Sequence, residues 1–103
     1  MPVDILSRLC PPNVLVGDGA IGTYLQAQGL PPGTPPELWN IEQPEMVRSM
    51  HVAYLVAGAQ LLTSNTFSGN RLRMPDKVNG HSRAELVRRG VEIARQVAGD
   101  LYT

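Results

Sequence analysis

Two short apolar runs each end in a polar segment rich in turn formers, and a helical pattern lies between them. Val14-Leu15-Val16 runs into Gly17-Asp18-Gly19. Residues 13–17 are short, β-branched and apolar throughout, the pattern of a strand covered on both faces. Ala59-Gln60-Leu61-Leu62 runs into Thr63-Ser64-Asn65-Thr66-Phe67, which predicts a second strand over residues 59–66. Between them Pro44 suits the first position of a helix. Val47, Met50, His51, Tyr54 and Leu55 follow at i, i+3, i+4, i+7 and i+8, one apolar stripe. Gly58 predicts a left-handed C-terminal cap. A strand–helix–strand unit with an apolar crossover helix implies parallel strands and a right-handed crossover.

The flanking segments complete a β-α-β-α order without tandem repeats. Residues 4–9 read as a lead-in helix stopped by Pro11-Pro12. Residues 21–28 read as one or two helical turns closed by Gly29. Residues 30–36 hold four prolines and a glycine, a loop that Trp39 is expected to pin to the body. Residues 68–80 are polar and glycine-containing and predict a long loop. Ser82-Arg83-Ala84-Glu85 is a capping box. The helix behind it places Leu86, Ile93, Ala94, Val97 and Leu101 on one face. Arg88, Arg89, Glu92, Arg95 and Asp100 fall mostly on the other.

Composition narrows the class. The 103 residues carry no net charge, with 43% apolar and 17% charged residues, a globular balance rather than a disordered one. Neutrality leaves no electrostatic footprint for nucleic acid or an anionic membrane. The start, Met1-Pro2-Val3-Asp4, has neither the basic nor the apolar region of a signal peptide. No apolar run approaches the roughly 20 residues of a membrane span. A single cysteine, Cys10, excludes an internal disulfide and points to a reducing, cytoplasmic setting.

The candidate chemistry lies at the strand ends, where α/β proteins bind their ligands. Gly17, Gly19 and Gly22 fit the G-x-G-x-x-G turn of dinucleotide-binding units. That unit is about 30 residues long and wants an acid at the end of its second strand. Here a proline-rich excursion intervenes and the strand ends in Ser64-Asn65-Thr66. The other reading takes Asp18 as the functional group. Glycines on either side let a ligand approach the main chain, and the carboxylate is placed to hold an ammonium group. Capping of the turn by the same carboxylate is the structural alternative.

Several motifs together resemble the homocysteine S-methyltransferase family, which includes the homocysteine domain of methionine synthase. They are Asp18-Gly19-Ala20-Ile21-Gly22-Thr23, Pro44-Glu45-Met46-Val47, His51-Val52-Ala53-Tyr54, Ala57-Gly58-Ala59 and Thr63-Ser64-Asn65-Thr66-Phe67. The likeness runs from about Val14 to Met74 and rests on their shared order and spacing. The start is also similar to bacterial proteins that fuse this domain to a methylenetetrahydrofolate reductase domain. The resemblance implies an α/β fold, the first two βα units of a TIM (β/α)8 barrel left incomplete in this chain. Residues 1–103 are then the N-terminal part of a homocysteine-binding domain. It implies homocysteine and a methyl donor as partners. It also implies substrate contacts at Asp18, Gly19, Asn65, Thr66 and Phe67.

The same resemblance implies zinc, held by three cysteines for which this chain has no counterpart. The chemistry explains the need. A free thiol has a pKa of about 8.5, and zinc binding deprotonates it near neutral pH. Cys10 precedes the first strand, on the face opposite the site, and is expected to be structural or incidental. His51 falls on an apolar stripe and is expected to be packed and hydrogen-bonded. His81 is expected to be a solvated loop residue. Arg71 and Arg73 are candidates for an anionic group above the second strand, with solvated loop charge as the alternative. The expectation is a fragment of a methyltransferase, inactive alone and carrying part of the substrate pocket and none of the metal site. The rival readings are a small βα module acting through a partner chain, and a nucleotide-binding βαβ unit.

Overall fold

The computed structural model of the chain describes residues 16–99. The helix expected over residues 4–9, Cys10, most of the strand over residues 13–17, Asp100 and Leu101 lie outside the described residues. Helix α1 is Gly22–Ala27. A 3-10 turn, Pro36–Leu38, leads into the single turn of α2, Trp39–Glu42. Helix α3 is Pro44–Val56 and helix α4 is Arg83–Ala98. A hairpin of β1, Lys77–Val78, and β2, His81–Ser82, precedes α4.

The parallel pairing is present but short. Gly17 and Leu61 form a parallel bridge. Leu61 N–H donates to Val16 O at 3.2 Å, and Asp18 N–H donates to Leu61 O at 3.0 Å. The strand expected over residues 59–66 is corrected to this bridge. The ladder stops because the next amide, Thr63 N–H, is taken by the Asp18 side chain at 2.8 Å. A carboxylate has replaced a backbone carbonyl as acceptor, and the chain leaves regular geometry there.

The two long helices follow their sequence signals. Pro44 opens α3. At its other end Gly58 takes φ +111°. Ala59 N–H then reaches Tyr54 O at 2.9 Å, and Gly58 N–H reaches Leu55 O at 3.0 Å. These two bonds are the Schellman closure that satisfies the last carbonyls. Helix α4 starts where Ser82 Oγ accepts from Glu85 N–H at 3.1 Å. Its stripe buries Leu86, Ile93 and Ala94. On its polar side Arg88 and Arg89 both reach Glu92, at 2.8 and 2.7 Å.

Two apolar clusters meet along α4. In one, Leu25, Leu30, Val47, Met50 and Ile93 are buried, with Ile21, Tyr24, Trp39 and Tyr54 packed against them. Trp39 does tie the proline-rich segment to the body. In the other, Leu38, Met74 and Leu86 are buried, flanked by Ile41 and Val78. Gly90 lies where α4 crosses the segment after the bridge. A Cβ there would stand 2.6 Å from Asn40 Nδ2 and 2.8 Å from Asn65 O, so the crossing admits only glycine without a shift.

The loop expected over residues 68–80 is corrected in its second half. Lys77 pairs with Ser82 and Val78 with His81, antiparallel. Asn79 and Gly80 turn the hairpin with φ +50° and +83°. Positive φ at both central residues is what a tight hairpin turn requires, and Asn-Gly supplies it at least steric cost.

Candidate functional site

Asp18 sits where the parallel pair ends. Its Oδ2 accepts from Thr63 N–H at 2.8 Å and its Oδ1 from the Thr63 hydroxyl at 3.1 Å. The carboxylate joins two strand ends that are 45 residues apart in sequence. Beside it the Tyr54 hydroxyl donates to Ala20 O at 2.6 Å. Burial, and then the charge of Asp18, hold the Tyr54 phenol above its ordinary pKa, so it stays a donor. Tyr54 also explains Gly19: a Cβ there would stand 3.0 Å from the Tyr54 ring.

A pocket of about 330 Å³ opens next to this junction. Its walls come from three stretches: Gly19, Ile21 and Gly22; Pro36 and Glu37; and Thr63, Asn65, Phe67 and Ser68. That volume, with apolar walls and a few convergent polar groups, suits a small molecule. Of the residues expected to touch substrate, Gly19, Asn65 and Phe67 line this pocket. Asp18 fastens its edge through Thr63. Thr66 stands aside, its hydroxyl 2.9 Å from that of Ser64.

Asn65 faces inward, only 2% exposed. Its Nδ2 donates to Pro36 O and to Asn40 Oδ1, both at 2.9 Å. Asn40 Nδ2 donates in turn to Asn65 O at 2.9 Å and to Leu86 O at 2.8 Å. This buried amide pair welds the proline-rich segment, the strand end and α4 into one wall. Glu37 Oε2 accepts from Ser68 N–H at 2.6 Å and fixes the opposite lip. Sequence reasoning passed over Glu37 and Asn40. Their only trace is polar character set among Leu38, Trp39 and Ile41 with no periodicity to explain it. Phe67 is exposed at the mouth, and the Arg73 guanidinium lies 5.0 Å from its ring centre. Arg71 is exposed.

The two histidines differ from expectation. His51 is fully buried, as expected. Neither of its ring nitrogens, however, has a hydrogen-bond partner among the described residues. The helix carries it inward on the same stripe as the buried Val47 and Met50. Burial holds its pKa below the ordinary value against the opposing pull of the Asp18 charge. The unfolded chain takes up the proton near pH 6.5, and the folded chain takes it up only at lower pH. Between the two the unfolded state holds more protons, so stability falls as the pH drops below about 6.5. Urea unfolding at pH 7.5 and 5.5 should show this loss, and His51→Leu should reduce it. An unchanged pH dependence in the variant would exonerate His51. His81 is not a free loop residue but a strand residue, half-buried, with Nε2 3.4 Å from Glu42 Oε2. The hairpin brings it there. Among the described residues no group of three or more His, Cys, Asp and Glu side chains is placed to hold a metal ion. No helix among them is long and apolar enough to cross a membrane.

This α/β unit places a small pocket at paired strand ends, walled by its first two connections. Its relatives say what kind of unit it is. The sequence profile described as homocysteine S-methyltransferase matches residues 15–103. Methionine synthase from Mycobacterium leprae is 36% identical over 108 residues, covering 97% of this chain and 9% of that protein. The S-methylmethionine–homocysteine S-methyltransferase BHMT2 of Pongo abelii is 32% identical over 99 residues, covering 92% of this chain and 25% of that protein. Among solved structures, the metallated form of the homocysteine methyltransferase MmuM from Escherichia coli superposes with a TM-score of 0.63 at 27% identity. That match covers 90% of this chain and 32% of that one. The chain belongs to the homocysteine S-methyltransferase family. It spans a quarter or less of the length of these two curated relatives.

Proposed function

We propose that this chain builds the part of a homocysteine S-methyltransferase that holds the amino-acid end of homocysteine. The observation that carries the reading is the pocket walled by Gly19, Asn65 and Phe67 beside the Asp18–Thr63 junction. It lies where ligands bind in α/β folds, past the ends of parallel strands. The likeness to a solved homocysteine methyltransferase supports placing these elements as the first two βα units of a (β/α)8 barrel. Asp18 supports the rim through Thr63, and a methyl donor approaches from outside this segment. The single cysteine supports a cytoplasmic setting.

Methyl transfer needs the substrate sulfur as a thiolate, and a free thiol is mostly protonated at pH 7. Zinc would supply that activation in the family. The described residues do not fit a zinc site, so they are assigned no step in it. Their work is to bind and orient. On this reading residues 1–103, with their single cysteine, do not complete the catalytic site by themselves. Within the longer architecture a fused methylenetetrahydrofolate reductase domain is one source of the methyl group. The family match favours this reading over a partner-binding βα module or a nucleotide-binding unit.

Calorimetric titration of the purified protein carrying these residues tests the reading. Homocysteine should bind saturably at one site per chain, and a dinucleotide such as NAD should give no heat. Saturable NAD binding without homocysteine binding would revive the glycine-turn alternative. Binding of neither would leave the partner module.

A further inference from the structure

The loop after the second strand end follows a fixed course. Asn70 Oδ1 accepts from the backbone N–H groups of Leu72 and Arg73 at 3.0 and 3.2 Å. Met74 N–H donates to Asn70 O at 2.9 Å, and the Met74 side chain is buried with Leu38 and Leu86. At the other end Ser68 N–H is held by Glu37. Between these anchors the loop leaves Phe67 77% exposed at the mouth of the pocket. Arg71 and Arg73 are exposed on the same loop.

The exposed charge at this mouth is positive. The Arg73 guanidinium lies 5.0 Å from the Phe67 ring centre, within cation–π range. Neither Arg71 nor Arg73 pairs with a carboxylate among the described residues. The acids of the pocket wall and of the loop are engaged elsewhere. Glu37 is buried on Ser68 N–H, Asp18 is bonded to Thr63, and Asp76 is paired with Arg83. A bare aromatic face suits a methylated cation. Here Arg73 already supplies the cation, and a second positive group meets its repulsion. A guanidinium instead matches the paired oxygens of a carboxylate or a phosphate.

We propose that the Phe67–Arg73 pair sets the charge class of the methyl donor. It turns away sulfonium and quaternary ammonium donors and draws in a donor that presents a carboxylate or phosphate, with Arg71 adding to the attraction. This rests on the reading of the pocket as a homocysteine site whose sulfur end faces the mouth. An idle, solvated Arg73 would leave donor affinity unchanged on its removal, so Arg73→Gln separates the two roles.

The test titrates the full-length protein and its Arg73→Gln variant, without homocysteine so that no methyl group moves. The probes are methyltetrahydrofolate, which offers carboxylates, methylcobalamin, which offers a phosphodiester, and trimethylsulfonium, a bare onium cation. The wild type should bind at least one of the two acidic donors, and the variant should lose roughly fivefold in affinity for it. A loss confined to methyltetrahydrofolate assigns the carboxylate, and a loss confined to methylcobalamin assigns the phosphate. Trimethylsulfonium should bind the variant roughly threefold tighter than the wild type, because the ring face is released. Homocysteine affinity, measured separately, should stay within about twofold, as for a surface substitution. Unchanged affinity for all three probes in the variant, with homocysteine binding intact, would overturn the proposal and leave the pocket reading standing. Binding of neither acidic donor by the wild type would overturn it too. Failure of the wild type to bind homocysteine would defeat the pocket reading itself.

Discussion

Asn40→Ala is expected to cost the fold about 3 kcal/mol, more than any other single side-chain truncation in the site wall. Asn40 is fully buried. It donates to Asn65 O and Leu86 O and accepts from Asn65 Nδ2. Alanine leaves the buried Asn65 carbonyl without its donor, at about 1–3 kcal/mol, strips Leu86 O of the bond it takes beyond its helical one, and opens a small cavity besides. Asn65 Nδ2 keeps Pro36 O, which limits the damage. Against a typical total of about 5–15 kcal/mol this is a large fraction. Urea unfolding monitored through Trp39 reads it directly. Asn40→Asp removes the two donors while keeping an acceptor and the shape, and should cost nearly as much. A loss below about 1 kcal/mol in both variants would mean that water reaches this wall.

Asp18→Ala should weaken homocysteine binding by roughly tenfold or more, with the metal content of the purified protein unchanged. The structure alters the reason. Asp18 does not line the pocket; it holds Thr63, which does. Without it Thr63 N–H loses its acceptor and the segment through Ser68 loses its anchor at the strand end. Asp18→Asn is the instructive companion. Its amide oxygen still accepts from Thr63 N–H, and its NH2 can donate to the Thr63 hydroxyl. Near-normal homocysteine affinity in Asp18→Asn, with loss in Asp18→Ala, identifies a fastener. Equal loss in both identifies the charge itself as the feature the ligand reads. Unchanged affinity in both would leave Asp18 a simple turn cap.

Helices α3 and α4 were legible because their signals are local. Pro44, the stripe from Val47 to Leu55, Gly58 and the Ser82–Glu85 cap all act within a few residues of one another. The parallel pairing was legible from two apolar runs with a helix between them. Its length was not, because a side chain of the first strand intercepts the ladder of the second. The hairpin carried a plain signal in Asn79-Gly80, outweighed by the polar composition around it. Gly19, Asn65 and Phe67 came from resemblance, and the structure sets them around one pocket. Glu37 and Asn40 could not be found in this way. Their meaning depends on Ser68, Asn65 and Leu86, which are 25 to 46 residues away along the chain. Nothing in the neighbouring sequence distinguishes a buried polar group from an exposed one when no periodicity surrounds it.

The 45 residues between Asp18 and Thr63 also set an order of events in time. Helical turns close over four residues, whereas the junction must first bring two distant chain segments together, and closure entropy grows with the length enclosed. Topologies rich in such distant contacts fold more slowly than local ones. The helices are expected to assemble before the pocket does, an order that refolding and unfolding rates of Asp18→Ala would check. On that order, substitutions at Asp18 or Glu37 should shorten the lifetime of the folded chain, through faster unfolding, more than they slow its formation.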